Sequence, residues 1–379
     1  MRKSKFFFCT LLFVWVPFFV SAEERPFWHF GGYVTESPRV TEAENSWLTD
    51  NLLQLRLNNG FHFSNDWEGA LEVRSRLFGG ETFRRFPNFP DLLEWNPNRL
   101  DLSKVMFHDD FWIWQNEADR LWIEKRFESV EVRLGRQRIN WGQNFVWNPN
   151  DLFNAYSYLD FDHEEKPGSD ALRVTWHTGS LSQIEFAHKW AANSEKNVSA
   201  LLWKFNRSRF DFQFLAGTFE SEPVFGAGFS GQIGWAGVRG ETTCFEGLWV
   251  SALSADYTFS NSFYVHLEAL HNEPSEEAVP DTMAQSEVLF SPMISPKRLA
   301  LARFSAFLEL AFDVTPLLRA DLSGIVSGSD HSFFWSPSLT YSLETNWDLK
   351  IFSQFFQGDS DSEWGRGASL VGVQMKRSF

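Results

Sequence analysis

The last twelve residues of the chain alternate in character with a period of two. Four apolar residues fall on one side of an extended chain, namely Val371, Val373, Met375 and Phe379. Four small or polar residues fall on the other side, namely Gly372, Gln374, Lys376 and Ser378. Arg377 interrupts the apolar side close to the end, where a long side chain reaches interfacial water. This period is typical of a half-buried strand, and it predicts that the chain ends on a strand with an aromatic last residue.

Composition favours a membrane protein built from strands. Aromatic residues make up 17% of the 379 residues, with 41 Phe and 18 Trp, while the mean hydropathy is only -0.29. A helical membrane protein would need several runs of about 20 apolar residues, and no such run follows the N-terminus. Many aromatics without long apolar runs are typical of alternating strands that carry aromatic girdles.

The N-terminus has the pattern of a secretory signal. Positive charges at Arg2, Lys3 and Lys5 precede the apolar residues 6–20, and small residues allow cleavage after Ala22. We therefore predict a cleaved signal peptide over residues 1–22 and a single barrel domain over residues 23–379. An N-terminal membrane anchor is the alternative, but the apolar run of residues 6–20 is short for a transmembrane helix.

After cleavage the chain would keep one cysteine, Cys244, which excludes an intramolecular disulfide and a two-cysteine metal site. No cofactor or metal is predicted. The formal net charge of -15 argues against nucleic acid as a partner.

Counted back from the C-terminus, the chain divides into about eighteen strands, an even number as a closed antiparallel barrel requires. Residues 225–259 are divided at Gly234-Trp235-Ala236, where glycine punctuates the run, and sixteen strands is the alternative count. The first strand is predicted over residues 27–36, followed by a loop to residue 51, and residues 79–118 are predicted as a long loop. A soluble propeller or sandwich is disfavoured because one face of many strands is apolar, as at Phe210, Phe212 and Phe214.

Tight turns are predicted on the side of both termini and most long loops on the opposite side. This asymmetry predicts periplasmic termini and long extracellular loops. Few residues separate the predicted cleavage site from the first strand, so a plug domain and gated active transport are not expected.

Two features resemble known families. A strand that ends the chain on Phe379 resembles bacterial outer-membrane β-barrel proteins, in which the terminal Phe marks the closing strand. The string that contains Gly135, Arg136, Gln137, Trp141 and Gly142 resembles the GRQ-x-x-x-WG pattern of alginate-export and related uncharacterised porin families. The resemblance implies an outer-membrane porin-like barrel with lipid, lipopolysaccharide and the barrel-assembly machinery as partners. The resemblance does not imply that alginate is a substrate of this chain.

The candidate site is a constriction made by a loop over residues 139–169 that folds into the barrel. This loop carries acidic residues at Asp151, Asp160, Asp162, Glu164 and Glu165. The facing strands carry arginines interleaved with acids: Arg74, Arg76, Arg120, Arg126, Arg133, Arg173, Glu72 and Glu124. Arginines on one wall and carboxylates on a loop would set a transverse field that favours polar solutes. The alternative interpretation is a satisfied salt-bridge network that stiffens the wall, and both can hold at once.

Four tryptophans are further candidates, namely Trp112, Trp114, Trp141 and Trp147. They could offer stacking surfaces for sugar rings, or they could serve loop packing and interfacial girdles.

A passive outer-membrane channel for small hydrophilic solutes fits a polar lumen without a plug. A barrel that anchors or exports polysaccharide, or scaffolds a surface assembly, is the alternative, because the loops at 79–118 and 273–299 are long. An enzyme is not expected, since Ser262 and His266 stand too far apart on one extended strand to form a nucleophile and base pair. Aromatic outer faces suit lipid and subunit contacts equally well, so homo-oligomerisation stays open.

Overall fold

The computed structural model describes residues 27–43, 46–64, 66–85, 89–155, 158, 165–273, 295–365 and 367–379. The strands are β1 (Trp28–Ala43), β2 (Ser46–Ser64), β3 (Trp67–Gly80), β4 (Ser103–His108), β5 (Trp112–Arg126), β6 (Val130–Gln137), β7 (Ser169–Gly179), β8 (Ser182–Lys189), β9 (Val198–Arg207), β10 (Phe210–Phe219), β11 (Glu222–Ile233), β12 (Ala236–Phe245), β13 (Leu248–Thr258), β14 (Phe263–Asn272), β15 (Phe304–Thr315), β16 (Leu318–Ser327), β17 (Phe333–Glu344), β18 (Trp347–Gln357) and β19 (Leu370–Ser378). Two short helices, α1 (Glu81–Arg85) and α2 (Phe89–Glu94), and one 3-10 turn, Ser194–Lys196, complete the described elements. Within these described ranges, no helix is long and apolar enough to cross a membrane.

Eighteen of the strands form a closed antiparallel ring, and the nineteenth, β4, pairs beside β5. Each strand of the ring hydrogen-bonds to its neighbours in chain order, with β5 following β3, and β19 returns to β1. The predicted count of eighteen is confirmed and the alternative of sixteen is wrong. The division at Gly234-Trp235-Ala236 is also confirmed, because β11 ends at Ile233 and β12 begins at Ala236.

The terminal residue completes the closure. Phe379 and Gly32 exchange two backbone hydrogen bonds, 2.9 Å from Phe379 N to Gly32 O and 3.0 Å in the other direction. The Phe379 ring also stacks on Phe30 at a centroid distance of 5.6 Å. The last strand predicted from its alternation is therefore the strand that seals the barrel.

Two predicted loops contain strands. The first strand does not end at Glu36, since β1 continues to Ala43 and pairs with β2 from Ser46 onward. The sequence does not reveal this extension because its outward residues include Pro38 and Glu42, so the two faces do not differ in polarity there. Likewise, β4 and the first half of β5 lie inside the predicted loop at 79–118.

The outer and inner faces of the ring differ sharply. Large apolar side chains are exposed on the outside, among them Trp203, Phe214 and Leu253 at 47%, 48% and 59%. The inward positions of the same strands carry polar groups such as Lys204, Gln213 and Ser254. A closed ring satisfies all backbone hydrogen bonds of its wall, and an apolar exterior suits lipid. The fold is that of a membrane-spanning β-barrel.

The wall is low at β6, β7 and β8, where the strands have eight, eleven and eight residues. Residues 96–108 cover this low section from above. β4 pairs with the upper half of β5, Asn98 bridges to Ala191, and the Leu100 N–H donates to Asp170 at 2.6 Å. Because β6 ends at Gln137, the chain is free to turn into the lumen immediately afterwards.

Candidate functional site: a lumen narrowed by an inserted segment

The chain between β6 and β7, in its described residues, packs against the inner side of the barrel wall. Its apolar side chains at Ile139, Trp141 and Phe153 are each at most 2% exposed. They belong to one apolar cluster with inward residues of β7 to β17, such as Leu202 and Phe307. We call its described residues, 138–155, 158 and 165–168, the inserted segment. Its packing against about half of the wall fills that side of the upper lumen.

Three inward carboxylates of the wall hold the inserted segment, and the sequence did not single them out. The Glu185 carboxylate accepts from the indole N–H of Trp141 at 2.5 Å. Glu241 accepts from the backbone N–H groups of Gln143, Asn144 and Asn150, the latter two at 3.0 Å each. Bonds to an ionised acceptor are stronger than neutral ones, so these carboxylates fix the segment to the wall.

The third carboxylate, Glu268, accepts from the next stretch of the same turn. Its two oxygens lie 3.2 Å from Val146 N and 2.7 Å from Trp147 N. Glu268 and Glu241 are only 3% and 4% exposed. Both carboxylates are thus buried acceptors of backbone N–H groups, and Glu268 Oε2 also lies 3.4 Å from His266 Nε2.

The motif residues act at the point where the chain leaves the wall. Gly135 has a φ of +122°, and a Cβ there would lie 2.2 Å from the carbonyl oxygen of Leu121. The Arg136 guanidinium pairs with Asp170 at 2.8 Å. Gln137 donates to Ala171 O at 2.9 Å, and a Cβ on Gly142 would strike Asn148. These residues shape the exit of the inserted segment, with Trp141 as its buried anchor.

A second insertion covers the opposite side of the upper lumen. Phe83 and Phe89 of α1 and α2 pack on Phe78, an inward residue of β3, in a small apolar cluster. The Asp50 carboxylate accepts from Thr82 N at 2.9 Å and from Thr82 Oγ1 at 2.5 Å.

Below it lies an arginine cluster on β2, β3 and β5. Arg56, which the sequence did not indicate, is 1% exposed and pairs with Asp119 at 2.7 Å and Glu72 at 2.5 Å. Arg74 pairs with Glu117 at 2.6 Å, and Arg76 donates to Gln115 at 3.0 Å and 2.5 Å.

Two contacts join this cluster to the inserted segment. Arg56 pairs with Glu165, and Arg120 donates to the Lys166 carbonyl oxygen at 2.5 Å. The inserted segment therefore crosses from the β7 side to the arginine wall at this level.

A second group of arginines lies nearer the tight turns, around Glu124. Glu124 is 1% exposed and accepts from Arg126 at 3.0 Å and from Arg133 at 2.7 Å. Arg173 lies 3.9 Å from the same carboxylate. Arg126 also forms two hydrogen bonds of 3.0 Å with Glu68. The arginines of this lower group thus have carboxylates of the wall as their partners.

Of the predicted loop acids, Asp151 and Glu165 lie in the site. Burial raises the pKa of the Asp151 carboxyl above its usual range, and Lys166 at 3.3 Å opposes the shift. Burial likewise raises the pKa of Glu165, with Arg56 opposing. Asp160, Asp162 and Glu164 lie outside the described residues.

None of the four tryptophans offers a stacking surface in the lumen. Trp141 and Trp147 are buried, at 1% and 6% exposure, and Trp112 and Trp114 stand on the outer face of β5. The aromatic side chain that the inserted segment presents to the lumen is Phe145, which is 53% exposed.

No protein-family model matches the chain, and no curated protein matches its sequence. Solved structures share its fold. OccAB4 of Acinetobacter baumannii aligns over 94% of this chain and 99% of its own, with a TM-score of 0.56 and 7% identity. OccK8 (OprE) of Pseudomonas aeruginosa aligns over 93% and 97%, with a TM-score of 0.56 and 9% identity. OpdL of Pseudomonas aeruginosa aligns over 93% and 97%, with a TM-score of 0.53 and 10% identity. At such identities the likeness shows the fold.

Proposed function

We propose that this barrel is a bacterial outer-membrane channel through which small hydrophilic solutes diffuse passively. The observation that carries the proposal is the contrast between the two faces of a closed wall. The outside exposes large apolar residues, whereas the lower lumen is lined by charged groups that stay partly exposed, including Arg126 at 40% and Glu131 at 30%. A charged lumen inside an apolar exterior serves water and polar solutes.

The constriction in this proposal lies where the inserted segment meets the arginine wall. There Glu165 pairs with Arg56, and the backbone carbonyl oxygen of Lys166 accepts a hydrogen bond from Arg120. Arg74, Arg76 and Glu72 stand on the same wall, and Asp151 pairs with Lys166 within the segment at 3.3 Å. Charges of both signs at a narrow level favour polar over apolar solutes.

Four further proposals complete this function. Residues 1–22 would be a signal peptide removed on export, and the end on Phe379 would address the closing strand to the barrel-assembly machinery. The apolar exterior would contact lipid and lipopolysaccharide, with the termini periplasmic and the long loops extracellular. The same exterior would serve contacts between copies if the barrel forms a homo-oligomer.

The decisive measurement is single-channel conductance of the refolded barrel in a planar bilayer, with the reversal potential taken under a salt gradient. Discrete open levels are expected, and the sign of the reversal potential identifies whether arginines or carboxylates dominate the lumen. Deleting residues 151–166 is expected to raise the conductance, while an equal deletion in the 273–299 loop should not. A folded barrel without conductance would overturn the channel and favour the anchoring alternative.

A further inference from the structure

His266 lies where the wall holds the inserted segment. It faces inward on β14, two residues before Glu268, and its side chain is 0% exposed. Its Nε2 lies 3.4 Å from Glu268 Oε2, and its Nδ1 lies 3.6 Å from Glu309 Oε2 on β15. Both ring nitrogens are buried. Each nitrogen therefore stands at ion-pair distance from a carboxylate and away from open water.

The charged groups around the imidazole leave these two carboxylates without another positive partner. The titratable and charged groups on the elements packed around the ring are Tyr264 and Glu268 on β14, Asp256 on β13, Arg239 on β12, Glu309 on β15, Asp321 and Arg319 on β16, and Tyr158 of the inserted segment. Arg239 is matched by Asp256, and Arg319 by Asp321. Within the part of the chain that the structure describes, no Lys or Arg pairs with Glu268 or Glu309. Because a buried carboxylate without a positive partner is costly, the imidazole is the group placed to balance both.

The protonation state of His266 decides whether both contacts are attractive. The imidazolium carries a proton on each nitrogen, so it attracts Glu268 and Glu309 at once. The neutral ring carries one proton, so its other nitrogen turns a lone pair toward a carboxylate. Loss of the positive charge therefore weakens the hold on Glu268 and leaves two carboxylates that repel each other across the ring.

Glu268 passes this change on to the inserted segment. Its Oε2, which faces His266, also accepts from Val146 N at 3.2 Å, and its Oε1 accepts from Trp147 N at 2.7 Å. We propose that protonated His266 is a pH-sensitive lock, a positioning residue that keeps Glu268 on the inserted segment and releases the turn at Val146 and Trp147 when it loses its proton. The effect of the lock on conductance rests on the proposed function, whereas the lock itself does not.

Hydrogen exchange of backbone amides in the detergent-solubilised barrel tests the lock directly. The reference is the Asn150 N–H, which lies on the same segment but is held by Glu241. Between about pH 7 and about pH 10, the exchange rates of the Val146 and Trp147 amides relative to that of Asn150 should rise about ten-fold, as the loss of one charge-assisted contact implies. A ratio that stays constant over this range would overturn the lock.

Three variants assign the pH dependence to one side chain. His266→Gln stays polar but cannot take up a proton, so the ratio should be high at every pH. His266→Lys keeps its positive charge to higher pH than an imidazole does, so the rise should move to higher pH. His177→Gln removes another inward histidine, 3.5 Å from Glu131, and should keep the parent profile. A parent-like profile in His266→Gln would show that another group responds and would overturn the role of His266.

Glu309→Gln gives a second test that leaves the histidine in place. It removes one of the two carboxylates that favour the imidazolium, so the rise in the exchange ratio should begin at lower pH. An onset at the same pH as in the parent would contradict the proposal even where His266→Gln does not fold.

Single-channel recording separates the lock from the channel. An open parent channel should show more frequent sublevels of higher conductance at about pH 10 than at about pH 7, and His266→Gln should show them at both. An open channel with a pH-independent exchange ratio would overturn the lock and leave the channel standing. A folded barrel that does not conduct, but whose exchange ratio rises with pH, would overturn the channel and leave the lock standing.

Discussion

The turn that carries Phe145 depends on Glu241, and replacing that residue by Gln should loosen it. In the parent, one carboxylate oxygen accepts from Gln143 N and Asn144 N, and the other accepts from Asn150 N. An amide has one acceptor oxygen, so its NH2 group must face at least one of these backbone N–H groups. Glu241→Gln therefore loses at least one hydrogen bond and brings two donors together.

A hydrogen bond to a buried charge contributes about 1.5–3 kcal/mol, and a buried donor left unpaired adds about 1–3 kcal/mol. The sum of about 2.5–6 kcal/mol corresponds to a roughly 10²–10⁴-fold rise in the population of the detached turn. Glu268 and the apolar cluster still hold the rest of the segment, so the barrel should fold normally.

Single-channel recording is the appropriate assay. Glu241→Gln is expected to add frequent short-lived sublevels of higher conductance to the current trace. Asp321→Asn is the matched control, because it removes the same charge from an inward position that pairs with Arg319 rather than with the segment. A Glu241→Gln trace as quiet as that of the parent would refute the idea that this carboxylate fixes the segment.

Three further outcomes are expected. Glu124→Gln removes the shared partner of the lower arginines, so the reversal potential under a salt gradient should shift toward anion selectivity; an unchanged potential would contradict this. Burial raises the pKa of Asp151 in the folded state, so its contribution to stability falls as pH rises from its unfolded pKa through the folded one. Asp151→Asn should therefore raise the denaturation midpoint at pH 7 more than at pH 4, as followed by the mobility shift between folded and unfolded barrels. Gly135→Ala should destabilise the barrel by about 1–3 kcal/mol or more through its positive φ and the contact with Leu121 O; Gly247→Ala, at a φ of +95° with nothing within 4 Å, isolates the strain and should cost less.

The sequence predicted the ring because hairpin turns and alternating faces are local signals. Each strand after β8 could be bounded from short turns such as Gly234-Trp235, and the insertion followed from a stretch too long for a hairpin. The upper part of β1 and all of β4 were not predicted, because outward residues such as Glu42 and Lys104 remove the difference in polarity between the two faces. Alternating polarity therefore indicates a strand only where one of its two faces contacts lipid.

The contacts that build the site could not be predicted in the same way. Glu268 holds Val146, a residue 122 positions earlier in the chain. Arg56 meets Asp119 across 63 positions. In the sequence, such residues look like any polar group that faces a lumen. Phe145 likewise resembles the girdle aromatics, and only the three-dimensional arrangement shows that it faces inward.

The low section of wall at β6 to β8 has a consequence for how the barrel assembles. Most of the ring consists of hairpins whose strands pair outward from a short turn. By contrast, residues 98 and 100 form hydrogen bonds with residues 168 and 170, which lie 70 positions later in the chain. Contacts between distant residues form late, because the intervening chain must first be ordered. Here the intervening chain includes the inserted segment, so we expect the rim above β6 to β8 to be finished only after the lumen has been filled. Until that step, the nascent barrel would keep an open seam next to β5, through which the segment can enter sideways rather than from the top.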